Sequence, residues 1–114
     1  MRRGTIKSRK LIEQLFAQSG GHSAAAFPIR IVWKTLDEGS TTQTLMSVSK
    51  RHMHHAVDRN RVKRQLRECF RQNSDLLGTT PVALAFIWLS DKHHDTATIN
   101  KKMKRLLQRI PSQQ

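Results

Sequence analysis

Apolar positions recur along this chain with three periods, and each predicts a different kind of element. In residues 7–17, Leu11 pairs with Leu15 and Ile12 with Phe16 at i,i+4 spacing, which marks adjoining faces of a short helix. Gly20 and Gly21 end it. Residues 27–36 alternate, with Ile29, Ile31 and Trp33 set against Arg30, Val32 and Lys34, the pattern of a half-buried strand. The polar run DEGSTT at 37–42 is a turn, and 43–49 is a second strand, so the two predict a hairpin. A basic, histidine-rich connector spans 50–55. Asp58 is placed to cap a helix that runs to about Gln72. After a loop at 73–81 comes a continuous apolar run, 82–89 (VALAFIWL), which predicts a central strand buried on both faces. A second loop, 90–95, leads to a last helix over 96–110, stopped by Pro111. Its apolar positions Ile99, Met103, Leu106, Leu107 and Ile110 form one stripe.

The predicted order is helix, strand, strand, helix, strand, helix. A buried central strand between amphipathic helices implies an α+β sandwich: a small sheet covered by helices on one face, with the other face open. The 114 residues suit one domain with one modest core, spanning 1–114, with residues 1–6 and 111–114 expected to be flexible ends.

Composition narrows the partner. Only 37% of residues are hydrophobic, and 21 Lys and Arg face 8 Asp and Glu, a net charge of +13 with a pI near 11.4. Such a chain repels itself and attracts polyanions, nucleic acid first. A single cysteine, Cys69, cannot form an internal disulfide and fits a reducing compartment. No apolar stretch reaches the length of about 20 residues needed to span a bilayer, and the basic N-terminus has no apolar signal core. The expectation is a cytoplasmic protein with no membrane partner.

The strongest chemical signal lies in residues 58–71, DRNRVKRQLRECFR. On a helical projection Val62, Leu66, Cys69 and Phe70 share an arc of about 100°. Asn60, Arg64, Arg67 and Arg71 form a narrow stripe opposite, with Lys63 between. The apolar face can dock on a sheet while the other presents guanidinium groups about one turn apart. Their planar forks grip phosphate through paired hydrogen bonds. Arg59 and Arg61 fall in the predicted first turn, where the helix dipole disfavours cations by a few tenths of a kcal/mol or so each. Six Lys or Arg against one Glu across 59–71 is a bias that an ordinary solvated face, which mixes signs, does not show.

Other chemistries find little support. The carboxylates Glu13, Asp37, Glu38, Asp58, Glu68, Asp75, Asp91 and Asp95 are scattered, without the spacing of an acid–base pair or a two-metal site. Cys69 sits on the apolar helix face, where an inert buried thiol is expected. His52, His54, His55, His93 and His94 lack a Cys or carboxylate at zinc-site spacing, so no metal ligand is assigned; a basic loop near RNA accounts for them better.

The run from Ser47 to Arg71, SVSKRHMHHAVDRNRVKRQLRECFR, resembles the signature of the bacterial ribonuclease P protein family. It carries Val48-Ser49-Lys50-Arg51 at a strand end, then Ala56-Val57, Arg59-Asn60-Arg61-Val62-Lys63-Arg64 and Arg67-Glu68-Cys69-Phe70-Arg71. It departs from the family at Leu45 and at His54 or His55, where relatives often have glycine. Fainter similarity extends from about Lys7 to Arg109. The resemblance implies an αβββαβα order with a left-handed βαβ crossover around the basic helix, a rare hand. The extra strand would be a short piece near the hairpin or connector.

The resemblance further implies a subunit of the RNA-based endonuclease that removes the 5′ leader from precursor tRNA. The RNA would carry the chemistry, with no protein active site and no cofactor on the protein alone; Mg²⁺ would come with the RNA. Lys50, Arg51, Arg59, Asn60, Arg61, Lys63, Arg64, Arg67 and Arg71 would bind that RNA. Ile12, Phe16, Phe27 and Trp33 would line a cleft for the single-stranded leader, since aromatic rings stack on any base. Partners would be ribonuclease P RNA and precursor tRNA, with one protein monomer per RNA. Residue pattern alone leaves a structural or ribosomal-type RNA-binding module open as the alternative. An autonomous nuclease lacks residues to carry it, and a membrane-surface binder would need the apolar helix face that the core requires.

Overall fold

The computed structural model describes residues 4–5, 22–37, 39–78 and 81–110. The predicted helix over 7–17 lies outside them. Five strands form one mixed sheet: β1 (Gly4–Thr5), β2 (His22–Ala26), β3 (Ile29–Thr35), β4 (Gln43–Ser47) and β5 (Val82–Trp88), in the order β1-β4-β5-β3-β2. Among the described residues two helices, α1 (Ala56–Asn73) and α2 (Thr96–Leu107), cover one face, and a 3-10 turn (Ser74–Leu77) follows α1. This is the expected α+β sandwich.

β5 is central because nothing in it tolerates an edge. Val82, Ala83, Leu84, Ala85 and Phe86 are fully buried. Val82, Leu84, Phe86 and Trp88 point toward the helices, while Ala83, Ala85 and Ile87 point away, so both faces of the apolar run are used. β5 pairs antiparallel with β3, Ile31 opposite Phe86, and parallel with β4, Met46 opposite Phe86. β3 and β4 therefore do not form the predicted hairpin: β5 lies between them. Local sequence favoured pairing neighbours, but burying a strand that is apolar on both sides outweighs a short loop connection. β4 and β5 run parallel and are joined through α1, a βαβ unit at the place where the resemblance implies one.

The true hairpin is β2–β3. Its two-residue turn, Phe27-Pro28, sets Ala26 opposite Ile29. β2 escaped the sequence reading because HSAAA lacks the β-branched and aromatic residues that mark strands. Phe27, read as the start of a strand, is in the turn.

α1 docks as its pattern dictates. Val62, Leu66 and Cys69 are fully buried, Phe70 nearly so, and the rings of Phe70 and Phe86 meet at 5.4 Å. Its N-cap is His55, one turn before the expected Asp58, which stands in the first turn, where its charge still complements the dipole. Asn73, the last residue of α1, donates to the Asn100 side chain of α2 and to Cys69 O at 2.8 Å. Gly78 ends the 3-10 turn at φ 64°, a conformation side chains disfavour. α2 has Asp95 as N-cap, and its regular hydrogen bonding stops at Leu107, although Ile110 still reaches the core.

Two outcomes test this arrangement. Leu66→Ala should cost about 2–5 kcal/mol in denaturant unfolding, as truncation of a fully buried leucine does, while Arg67→Ala should stay within about 0.5 kcal/mol. The Thr98 hydroxyl donates to the Asp95 carboxylate and holds its carboxyl below the ordinary value of 3.8. A carboxyl lowered in the folded state adds stability that is complete above the unfolded value and is lost as pH falls through the folded one. Asp95→Ala should thus lower the thermal midpoint at neutral pH, with the difference from the parent shrinking as pH drops below 3.8.

Candidate nucleic-acid interface

The docked face of α1 fixes where its other face points. Asn60, Arg61, Arg64, Arg67 and Arg71 are all exposed, and Lys63 is half-buried at the flank. The expected cationic ridge therefore exists as one surface of one rigid element. Arg71 is partly neutralised: it pairs with Glu68, whose carboxyl the Arg71 guanidinium draws below the usual range. Arg61, Lys63, Arg64 and Arg67 have no carboxylate partner among the described residues.

Arg59 has a different job from its neighbours. It is half-buried and donates from Nη1 to Met53 O at 2.9 Å and His54 O at 2.8 Å. It thereby ties the connector to the first turn of α1. Val48 and Met53 are buried at the two ends of that connector, and the amide groups of His52 and Met53 both donate to Ser49 O. Between these anchors Lys50 and Arg51 are held out in a turn, exposed, at the end of the sheet where α1 begins. A second tie comes from the loop after β5. His52 Nδ1 lies 2.6 Å from Asp91, and His93 Nε2 lies 3.0 Å from Asp58. These residues line a pocket of about 220 Å³ together with His54, His55, Met53 and Lys92. Sequence spacing could not reveal the pairs, since their partners are 39 and 35 residues apart. Among the described residues no three His, Cys, Asp or Glu are grouped to hold a metal ion.

Of the expected leader-cleft residues, Phe27 and Trp33 lie within the described residues, and they do not share one surface. Trp33 belongs to the core on the helix-covered face, 7% exposed, with His22 against its ring at 5.4 Å. That corrects its assignment to the open face: in a strand the side chain must follow Ile29 and Ile31, the alternation the sequence already showed. Phe27 is 59% exposed at the β2–β3 turn, its ring edge near His94 at 5.9 Å. Ile12 and Phe16 lie outside the described residues. The sheet face away from the helices carries exposed Arg30 beside a strip of Val32, Ala85, Leu45 and Ile87. Cys69 is buried, and desolvation pushes its thiol up, which disfavours the reactive thiolate.

Comparison with known proteins shows the family. The Ribonuclease P family profile matches residues 1–111. The ribonuclease P protein component of Porphyromonas gingivalis is 32% identical over 120 residues, covering 94% of this chain and 86% of its own. That of Nitrosococcus oceani is 36% identical over 66 residues, 58% of this chain and 53% of its own. Among solved structures, the RNase P protein of Thermotoga maritima superposes with a TM-score of 0.79 at 20% identity, over 95% of this chain and 98% of that one. The Staphylococcus aureus RNase P protein gives 0.75 at 24% identity, over 94% and 93%. With its signature run laid along an outward cationic face, the chain belongs to the ribonuclease P protein family, the protein component of the ribonucleoprotein that processes tRNA 5′ ends.

Proposed function

We propose that this protein assists leader removal without an active site of its own, as one monomer on one ribonuclease P RNA in the bacterial cytoplasm. The observation that carries the reading is the α1 surface: five exposed polar or cationic positions from Asn60 to Arg71 on a helix whose opposite side is locked in the core. Such a surface neutralises phosphates at fixed spacing and needs no rearrangement to do so. Lys50 and Arg51 extend it past the start of the helix, and Arg59 acts as a positioning residue by holding the connector that bears them. The RNA subunit, with the Mg²⁺ it positions, would supply the hydrolytic chemistry, and the protein would supply charge and order. The precursor tRNA leader would lie on the sheet face opposite the helices, where Arg30 offers charge next to Ile87 and Leu45.

The direct test is reconstitution. At low Mg²⁺, adding the protein to bacterial ribonuclease P RNA should stimulate leader removal from precursor tRNA, whereas protein alone should cleave nothing. An absence of stimulation would remove the reading. If about six phosphates are neutralised, the log–log dependence of affinity on salt should have a slope of about −4 to −5. Arg64→Ala and Arg67→Ala should weaken RNA association at unchanged thermal stability. Arg59→Ala should instead release the connector, read as faster amide exchange at residues 52–54.

A further inference from the structure

The last helix bears a charge pattern that the α1 ridge does not account for. Residues 96–110 contain Lys101, Lys102, Lys104, Arg105 and Arg109 and no acid. Ile99, Met103, Leu106 and Leu107 are fully buried, which fixes the orientation of the helix. At 100° per residue Lys101, Lys104, Arg105 and Gln108 fall opposite them, and all four are exposed. None of the five cations pairs with a carboxylate among the described residues. The helix dipole favours Lys104 and Arg105 in the last turn, so those two have a local reason. It gives none for Lys101 and Lys102, or for the lack of any acid to temper them.

Placement supplies the rest. Gln65 donates to His94 O and to the Thr96 hydroxyl, both at 3.2 Å, and Asn73 donates to Asn100. Contacts thus advance along both helices together, so α1 and α2 pack against each other with the same chain direction. The α2 cations begin at Lys101, one residue past the level where Asn100 meets the end of α1. The two ridges are staggered, the second starting where the first stops. At 1.5 Å per residue, Arg61 to Asn73 and then Asn100 to Leu107 make a track of about 28 Å on one helical layer.

We propose that the solvent face of α2, through Lys101, Lys104 and Arg105, is a second phosphate-binding surface for ribonuclease P RNA, continuing the α1 ridge. The proposal rests on the reading above that α1 binds this RNA. RNA fits the surface better than an anionic bilayer, because the apolar side of α2 is wholly used by the core and has nothing left to insert.

The test compares two exposed-site variants on ribonuclease P RNA across a salt series. Lys101→Ala/Lys104→Ala/Arg105→Ala should lose at least about tenfold in affinity at moderate salt, with a slope shallower by about two to three units, and should keep its thermal midpoint. Full affinity in this variant, while Arg64→Ala/Arg67→Ala is weakened, would overturn the α2 surface and leave the α1 reading intact. Full affinity in both would overturn both. Position is read independently by an iron chelate tethered at Lys104→Cys, since the native Cys69 is buried. It should cleave the RNA near, but not at, the nucleotides cut from Arg64→Cys. Cleavage no greater than with untethered reagent would overturn the proposal.

Discussion

The structure depends on the burial of one stripe of α1 in the core that it shares with α2 and the sheet. Val62, Leu66 and Phe70 each gain roughly 1.5–3 kcal/mol by leaving water. Against this, like charges one turn apart on the outer face cost only a few tenths of a kcal/mol per pair. The core term wins by a wide margin, so a helix can carry a row of arginines that its own electrostatics disfavour. The excess charge is tolerated in the free protein and, on the proposed reading, would be relieved by RNA phosphates.

The same burial makes the cationic surface rigid. A guanidinium on a loop would lose conformational entropy on binding; one on a docked helix has less to lose. Around the helix start the protein adds separate restraints. Met53 is sunk in the core, Arg59 grips two connector carbonyls, and two His–Asp contacts join the connector and α1 to the loop after β5. Those contacts bring together segments that are remote in the chain but adjacent at one end of the sheet. The central strand is what brings them there, since β4 and β5 run parallel and end on the same side.

Much of this could be read along the chain. The period of 3.6 over 58–71 separated buried Val62, Leu66, Cys69 and Phe70 from exposed Asn60, Arg64, Arg67 and Arg71, because a docked amphipathic helix has only one way to satisfy that pattern. The alternation of Ile29, Ile31 and Trp33 likewise named one strand face correctly, and the leader-cleft role assigned to Trp33 ran against it. The unbroken apolar run of β5 announced a central strand.

What the sequence by itself determined is therefore local: the strongly patterned elements, which side of each is apolar, and that the protein carries a long cationic helix face suited to polyanions. Tertiary structure alone decided what lies next to what. It placed β5 between β3 and β4 in place of a hairpin, added the alanine-rich β2 at an edge, turned Arg59 inward to the connector, and set α2 beside α1 with its cations in register beyond Asn73. The reason is physical. Periodicity reports how a segment divides its own polar and apolar surface, whereas neighbours are chosen by how all those surfaces can be buried at once.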